Sequence, residues 1–293
     1  MLIVFASRVR AGEFRHGKEV CVGSVDVALQ AVAQTIVMAG HPDPRRTNNQ
    51  KELDPSFHDL LAAYKTEDPC PQPELAVPVE VVASVRLKDG TEKSRTIGNL
   101  VELQFLFLLR VGEYTFLINK KRRTRTVQFR RKDVVFYKGA RKIGHEEGLA
   151  TLLTADGVTL MLDNQKNGVR GNVLHQHNNH RDINPVACLA RLITPLLQIN
   201  DELEAPLCQY RVKCGQRWEV KQVTAPHILQ AVKKTLRDTG IINRFFDIDS
   251  VITHSLRAGG AKAMILNGVS ETVVKKPGRW GRATFKTYIF IHR

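Results

Sequence analysis

A chain of 293 residues, 43% hydrophobic and 25% charged, suffices for one large or two ordinary domains with a true core. No apolar run approaches the ~20 residues that cross a bilayer, which sets aside a membrane partner. Lys and Arg number 44 against 29 Asp and Glu, a formal charge of +15, and such a surplus draws polyanions by its field and by counterion release on phosphate.

The N-terminus, Met1 to Ala6, is apolar but is broken at once by Arg8 and Arg10, with no basic segment ahead of it, so a secretory signal is not expected. Ser24 to Met38 has the apolar spacing of a helix, with Ser24 as its N-cap. A second helix is predicted over Phe57 to Tyr64. Residues 1–68 therefore read as a small helical domain, expected to lack a first helix because Met1 falls directly into an apolar stretch. Pro69, Pro71, Pro73 and Pro78 cannot continue a helix, and 69–79 is predicted to be a linker. A second domain is expected over 80–293.

Within it, Ile97 to Leu109 is apolar nearly all round, the pattern of a buried helix. Strands are predicted at 133–137 and 157–162, with a turn-like Asn164-Gln165-Lys166-Asn167-Gly168 and a returning strand at 172–175. Further helices are expected at 185–197, 226–238 and 254–267, and a short one at 270–276 ended by Pro277-Gly278. The fold class is thus mixed α+β, mainly helical, with helices around a small antiparallel sheet. Cys21, Cys70, Cys188, Cys208 and Cys214 are scattered, odd in number and without CxxC spacing, which argues against a disulfide framework or zinc site and for a reducing compartment. His175, His177 and His180 lack partnering cysteines or carboxylates at ligand spacing, and no metal is expected there.

Chemistry concentrates near the C-terminus. Thr253-His254-Ser255-Leu256-Arg257-Ala258-Gly259-Gly260 opens a helix, with Thr253 as its expected cap. His254 and Arg257, three apart, project from one face of its first turn, where backbone N–H groups already favour an anion. Trp280 follows Arg257 by 23 residues, and Tyr288 lies eight further on. Upstream stand Leu109-Arg110-Val111-Gly112-Glu113 and the turn lysine Lys166; Lys132, Lys138 and Lys142 are nearby competitors for the lysine's place.

This order resembles the catalytic domain of tyrosine recombinases and phage-type integrases, whose pattern is an early Arg, a β-hairpin Lys, a His-x-x-Arg, a His or Trp, and a nucleophilic Tyr. Each element alone is common by chance; five in the right order on a basic chain carry the resemblance. It covers roughly 80–293, and the wording LLRVGEYT, DNQKNG and HSLRAGG is most similar to Crypton and DIRS-like mobile-element recombinases. The N-terminal helices match that family's core-binding domain more weakly.

The resemblance implies a DNA recombinase or integrase that cleaves and rejoins strands through a 3′-phosphotyrosine, without metal, ATP or other cofactor. It implies that Arg110 and Arg257 clamp the phosphate, Tyr288 is the nucleophile and Lys166 the general acid. His254 donates to the phosphate or assists proton transfer, and Trp280 supplies an indole donor and packing; Arg279 beside it is an alternative for the donor role. Glu113 orients Arg110 or His254. The implied partners are double-stranded DNA and further copies of the chain, dimer to tetramer, in a nucleus. The cationic run Lys120, Lys121, Arg122, Arg123 and Arg125 suits the DNA backbone or a nuclear-localisation signal. Arg8, Arg10, Arg45 and Arg46 are candidates to close the small domain on DNA. The chain ends five residues after Tyr288, so the family's docking tail is expected to be missing. Two other readings stay open: an inactive or domesticated recombinase that only binds DNA, and a type IB topoisomerase.

Overall fold

A computed structural model describes residues 1–46, 52–69, 75–87, 90–117, 127–163, 170–199, 201–241, 247–280 and 285. The chain divides into two compact units, Met1–Gln72 and Pro73–Arg293.

The first unit holds α1 (Leu2–Arg10), α2 (Val22–Met38) and α3 (Pro55–Glu67). On α2 the residues Val25, Leu29 and Ala33 recur every four positions and are buried, and Val25 and Leu29 pack with Ala6, Val20 and Phe57 into one small core. Asp54 caps α3, accepting from the Ser56 N–H at 2.9 Å with Pro55 at the first helical position. Ser24 does not cap α2; that helix starts two residues earlier, at Val22. Its first N–H is met from a distance, because the Asp68 carboxylate accepts from Val22 N at 2.8 Å. The same carboxylate pairs with Arg10, which also donates to the Val20 carbonyl at 2.7 Å and lies over the Tyr64 ring at 5.3 Å. Arg10 is only 8% exposed. Arg10, a candidate to close the small domain on DNA, is therefore the latch that ties α1, α2 and the end of α3 together.

The second unit is mixed α+β. It begins with α4 (Val79–Leu87), α5 (Glu92–Phe107) and α6 (Val111–Tyr114). There follow β1 (Val134–Lys138), β2 (Arg141–Ile143), α7 (Gly148–Leu152), β3 (Gly157–Leu162), β4 (Asn172–His177) and α8 (Pro185–Ile199). The unit continues through β5 (Gln209–Cys214), β6 (Arg217–Gln222), α9 (Ala225–Thr239), α10 (His254–Leu266) and α11 (Glu271–Gly278). One antiparallel sheet has the order β2-β1-β3-β4, and β5 and β6 form a separate hairpin.

The apolar helix is central. Residues Thr96 to Phe105 of α5 are all buried, and α4, α8, α9 and α10 pack around it. α8 covers β3 and β4. Part of the expected linker is core: Val77 is buried and donates its N–H to the Ser255 carbonyl at 3.0 Å, and Val79 opens α4. Pro277 does not end α11, which runs through it to Gly278. The two glycines of the His-Ser-Leu-Arg-Ala-Gly-Gly stretch have a packing reason. A methyl on Gly259 would overlap the Val77 carbonyl oxygen, and one on Gly260 the Phe105 carbonyl oxygen, so only glycines let α10 press onto α5 and the strap before α4. The described cysteines, Cys21, Cys188, Cys208 and Cys214, are free thiols.

Candidate active site

The site is assembled where α5, α6, α10 and α11 meet. α5 ends at Leu108, which takes a left-handed conformation (φ 51°) and turns the chain into Arg110. Arg110 precedes α6 in extended geometry, and its N–H donates to Glu113 Oε2 at 2.8 Å. Its guanidinium reaches Glu113 Oε1 more loosely, at 3.5 Å.

Glu113 is fully buried. Its main ion partner is Arg279, 166 residues away, whose Nη1 donates to Oε1 at 3.0 Å and Nη2 to Oε2 at 2.8 Å. That is a two-point fork between planar groups, the strongest geometry open to this pair. The expectation that Glu113 orients Arg110 or His254 is thus extended by a partner from a distant element. Burial pulls the Arg279 guanidinium down from its usual range while the Glu113 carboxylate pulls it back up. Arg279 is itself left-handed (φ 52°) and contacts the Leu108 carbonyl at 3.5 Å. Two non-glycine residues in that region cost of order 1–3 kcal/mol each, and here the Arg279 guanidinium reaches the carbonyl of the other.

Arg279 places its neighbour. Trp280 lies with its ring centroid 4.5 Å from the Arg257 guanidinium and 5.4 Å from the Phe285 ring. Arg257 is buried and donates Nη2 to the Gly278 carbonyl. A guanidinium out of water needs compensation, and a π face with a backbone carbonyl supplies part of it. Trp280 therefore acts as a lid on Arg257 and packs with Leu108, Ala261 and Val274.

His254 is the first residue of α10, as the spacing predicts, but Thr253 is not its side-chain cap. The entry is held instead by Ser255, whose buried Oγ accepts from Ile252 N at 3.1 Å. Four sequence-predicted residues, Arg110, Glu113, Arg257 and Trp280, are thus joined in one chain of contacts through Arg279, which the sequence reading had only sharing the tryptophan's role. Lys166 and Tyr288 lie outside the described residues, as do Lys120, Lys121, Arg122, Arg123 and Arg125. A cavity of about 700 Å³ near the start of α5, lined by Arg86, Arg95, Arg191 and Arg211, shares none of the site residues. Among the described residues no group of three or more His, Cys, Asp or Glu is arranged to hold a metal ion.

Sequence reasoning passed over Gln104, which hydrogen-bonds three groups around this site. Asn99, Glu102 and Gln104, polar residues in the buried run of α5, were the available signal, since buried polar groups are almost always paired.

In the first unit the remaining candidate arginines each hold a carboxylate. Arg8 pairs with Glu13 at 2.6 Å, and Arg45 and Arg46 share Asp43. The Arg45 fork, at 3.1 and 2.9 Å, holds the Asp43 carboxyl down at about 2. Its folded pKa lies below its unfolded value near 3.8, so the folded state binds fewer protons between the two. The stabilisation is present above pH ~4 and is lost as pH falls toward ~2. In acid unfolding followed by circular dichroism, Asp43→Asn is expected to be less stable than wild type at pH 7, with the gap closing toward pH 2. An unchanged gap would contradict the pairing.

No protein-family model and no curated protein matches the chain. Among solved structures it is similar to a variant of the Tn1549 transposon integrase in complex with transposon right end DNA, with TM-score 0.52 and 11% identity. That match covers 100% of this chain and 80% of the integrase chain. Two further structures of that integrase, with circular intermediate DNA, have TM-scores of 0.46 and 0.47 at 11% and 9% identity, covering 100% of this chain and 80% and 81% of theirs. The chain has the integrase fold. Among the described residues no helix is long and apolar enough to cross a membrane.

Proposed function

We propose that the chain is a tyrosine recombinase that cuts and rejoins double-stranded DNA. The observation that carries this reading is the linked set Arg110, Glu113, Arg279, Trp280 and Arg257, drawn from α6, α10 and the end of α11 and built on the integrase fold. Two permanently charged planar forks are the groups that a phosphodiester needs as negative charge grows on its non-bridging oxygens.

The Tyr288 hydroxyl attacks phosphorus, and its proton passes to His254. The new bond joins the tyrosine oxygen to phosphorus while the bond to the 5′-oxygen breaks. Lys166 gives that oxygen a proton, so it leaves as a hydroxyl. A 5′-hydroxyl from another strand reverses the steps and restores the phosphodiester. The phosphotyrosine conserves the bond between the two reactions. The small helical unit serves as the core-binding domain, and recombination brings two to four copies onto paired sites. The wording around Arg110 and His254 supports a mobile-element origin of the Crypton or DIRS-like kind, acting in a nucleus.

The test is covalent trapping. Protein incubated with nicked duplexes from the DNA flanking its own gene is expected to give an adduct that survives denaturation, absent in Tyr288→Phe. Tight, salt-sensitive binding without any adduct would identify an inactive clamp instead.

A further inference from the structure

We infer that Gln104 is a positioning residue, locking together the two backbone segments that carry Arg110 and His254; this role rests on the reading of those residues as catalytic groups. Gln104 sits in the last turn of α5 and is 1% exposed. A primary amide offers two N–H donors and one oxygen acceptor. Here all three directions are used. Nε2 donates to the Thr253 carbonyl at 2.8 Å and to the Leu109 carbonyl at 3.3 Å, and Oε1 accepts from the Tyr114 hydroxyl.

The chemistry of the partners fixes which way the amide faces. Burial, with the nearby Glu113 charge, pushes the Tyr114 phenol well up, so it stays a neutral O–H donor. An amide turned over would aim its oxygen at two carbonyl oxygens and lose both of those bonds, whichever way the phenol, which can donate or accept, then turned. One side chain thus grips two peptide groups that are 144 positions apart in the chain, at Leu109 and Thr253. The peptide from Leu109 leads directly into Arg110, and the peptide from Thr253 directly into His254. Arg257 follows one helical turn later on α10.

Chemistry on a phosphate is sensitive to such placement, because a displacement of ~1 Å in a positioning group costs about 10²-fold in rate. Gln104→Met keeps the length and packing of the side chain and removes every polar contact. It is expected to lower the single-turnover rate of adduct formation at saturating DNA by roughly 10–100-fold. DNA affinity is expected to stay within about threefold, since the clamp is misaligned and not removed. Tyr114→Phe deletes only the bond on the far side of the amide and leaves both carbonyls held. Its rate is expected within about threefold of wild type, although burying an unpaired amide oxygen lowers the melting temperature as well. If Gln104→Met does not fold, Gln104→Asn, one carbon short of bridging both carbonyls, is expected to show the same separation of rate from affinity.

Equal rate losses in Gln104→Met and Tyr114→Phe, tracking their melting temperatures, would reduce Gln104 to an ordinary core amide and overturn the inference. So would a loss confined to DNA affinity. Wild-type protein that forms no adduct at all would sink the proposed reaction itself, and this role with it.

Discussion

Arg257→Ala is expected to slow adduct formation at saturating DNA by about 10²–10³-fold, some 3–4 kcal/mol of barrier. Arg257 is nearly inaccessible, under the Trp280 ring and against the Gly278 carbonyl, so its guanidinium is held in one orientation before DNA arrives. A preorganised charge in a low-dielectric setting stabilises developing negative charge without reorganising during the reaction. Arg257→Lys is expected to recover little, because an ammonium cannot reproduce the planar fork or lie flat on the indole. Single-turnover rates of the three proteins decide the matter. A lysine variant within about threefold of wild type would mean that only a point charge is used and that the fork is irrelevant.

Glu113→Ala is expected to destabilise the second unit by about 3–5 kcal/mol, because it leaves the Arg279 guanidinium buried without its carboxylate. Arg279→Ala is expected to cost a similar amount, leaving Glu113, at 0% exposure, with only the Arg110 N–H and its looser guanidinium contact. The double variant removes both charges and is expected to cost clearly less than the sum, with a coupling of at least about 2 kcal/mol. Urea unfolding of the four proteins measures this directly. Coupling below about 0.5 kcal/mol would show that the pair is not what fastens the end of α11 to α6. The pair also bears on chemistry, since Trp280 follows Arg279 immediately and covers Arg257, so either single variant is expected to slow adduct formation as well.

Periodicity carried much of the fold. The strand at 157–162 and the helices beginning near 185, 226 and 254 appear within a residue or two of where apolar spacing places them. α4 was hidden because its valines, Val79, Val81, Val82 and Val85, follow a proline cluster that signals a linker. The β5–β6 hairpin was legible and missed. Its apolar and polar residues alternate around a two-residue Gly215-Gln216 turn, with Gly215 at φ 62°. The candidate site was legible as residue types in order, but not as a set of contacts. The bond from Arg279 to Glu113 crosses 166 residues, and nothing local in either segment announces it. Arg10 shows the opposite error. Expected to close the small domain on DNA, it is buried as an internal latch, because the Asp68 carboxylate that meets Val22 N pairs with it.

The central claim is that a tyrosine near the C-terminus becomes joined to DNA. The most direct measurement is to purify the denaturation-resistant adduct, digest it with protease and nuclease, and identify by mass spectrometry the modified residue and the DNA end it carries. The expected product is a nucleotide linked through its 3′-phosphate to Tyr288, with a free 5′-hydroxyl on the released strand. Attachment at another residue, linkage through a 5′-phosphate, or DNA held only noncovalently would contradict it.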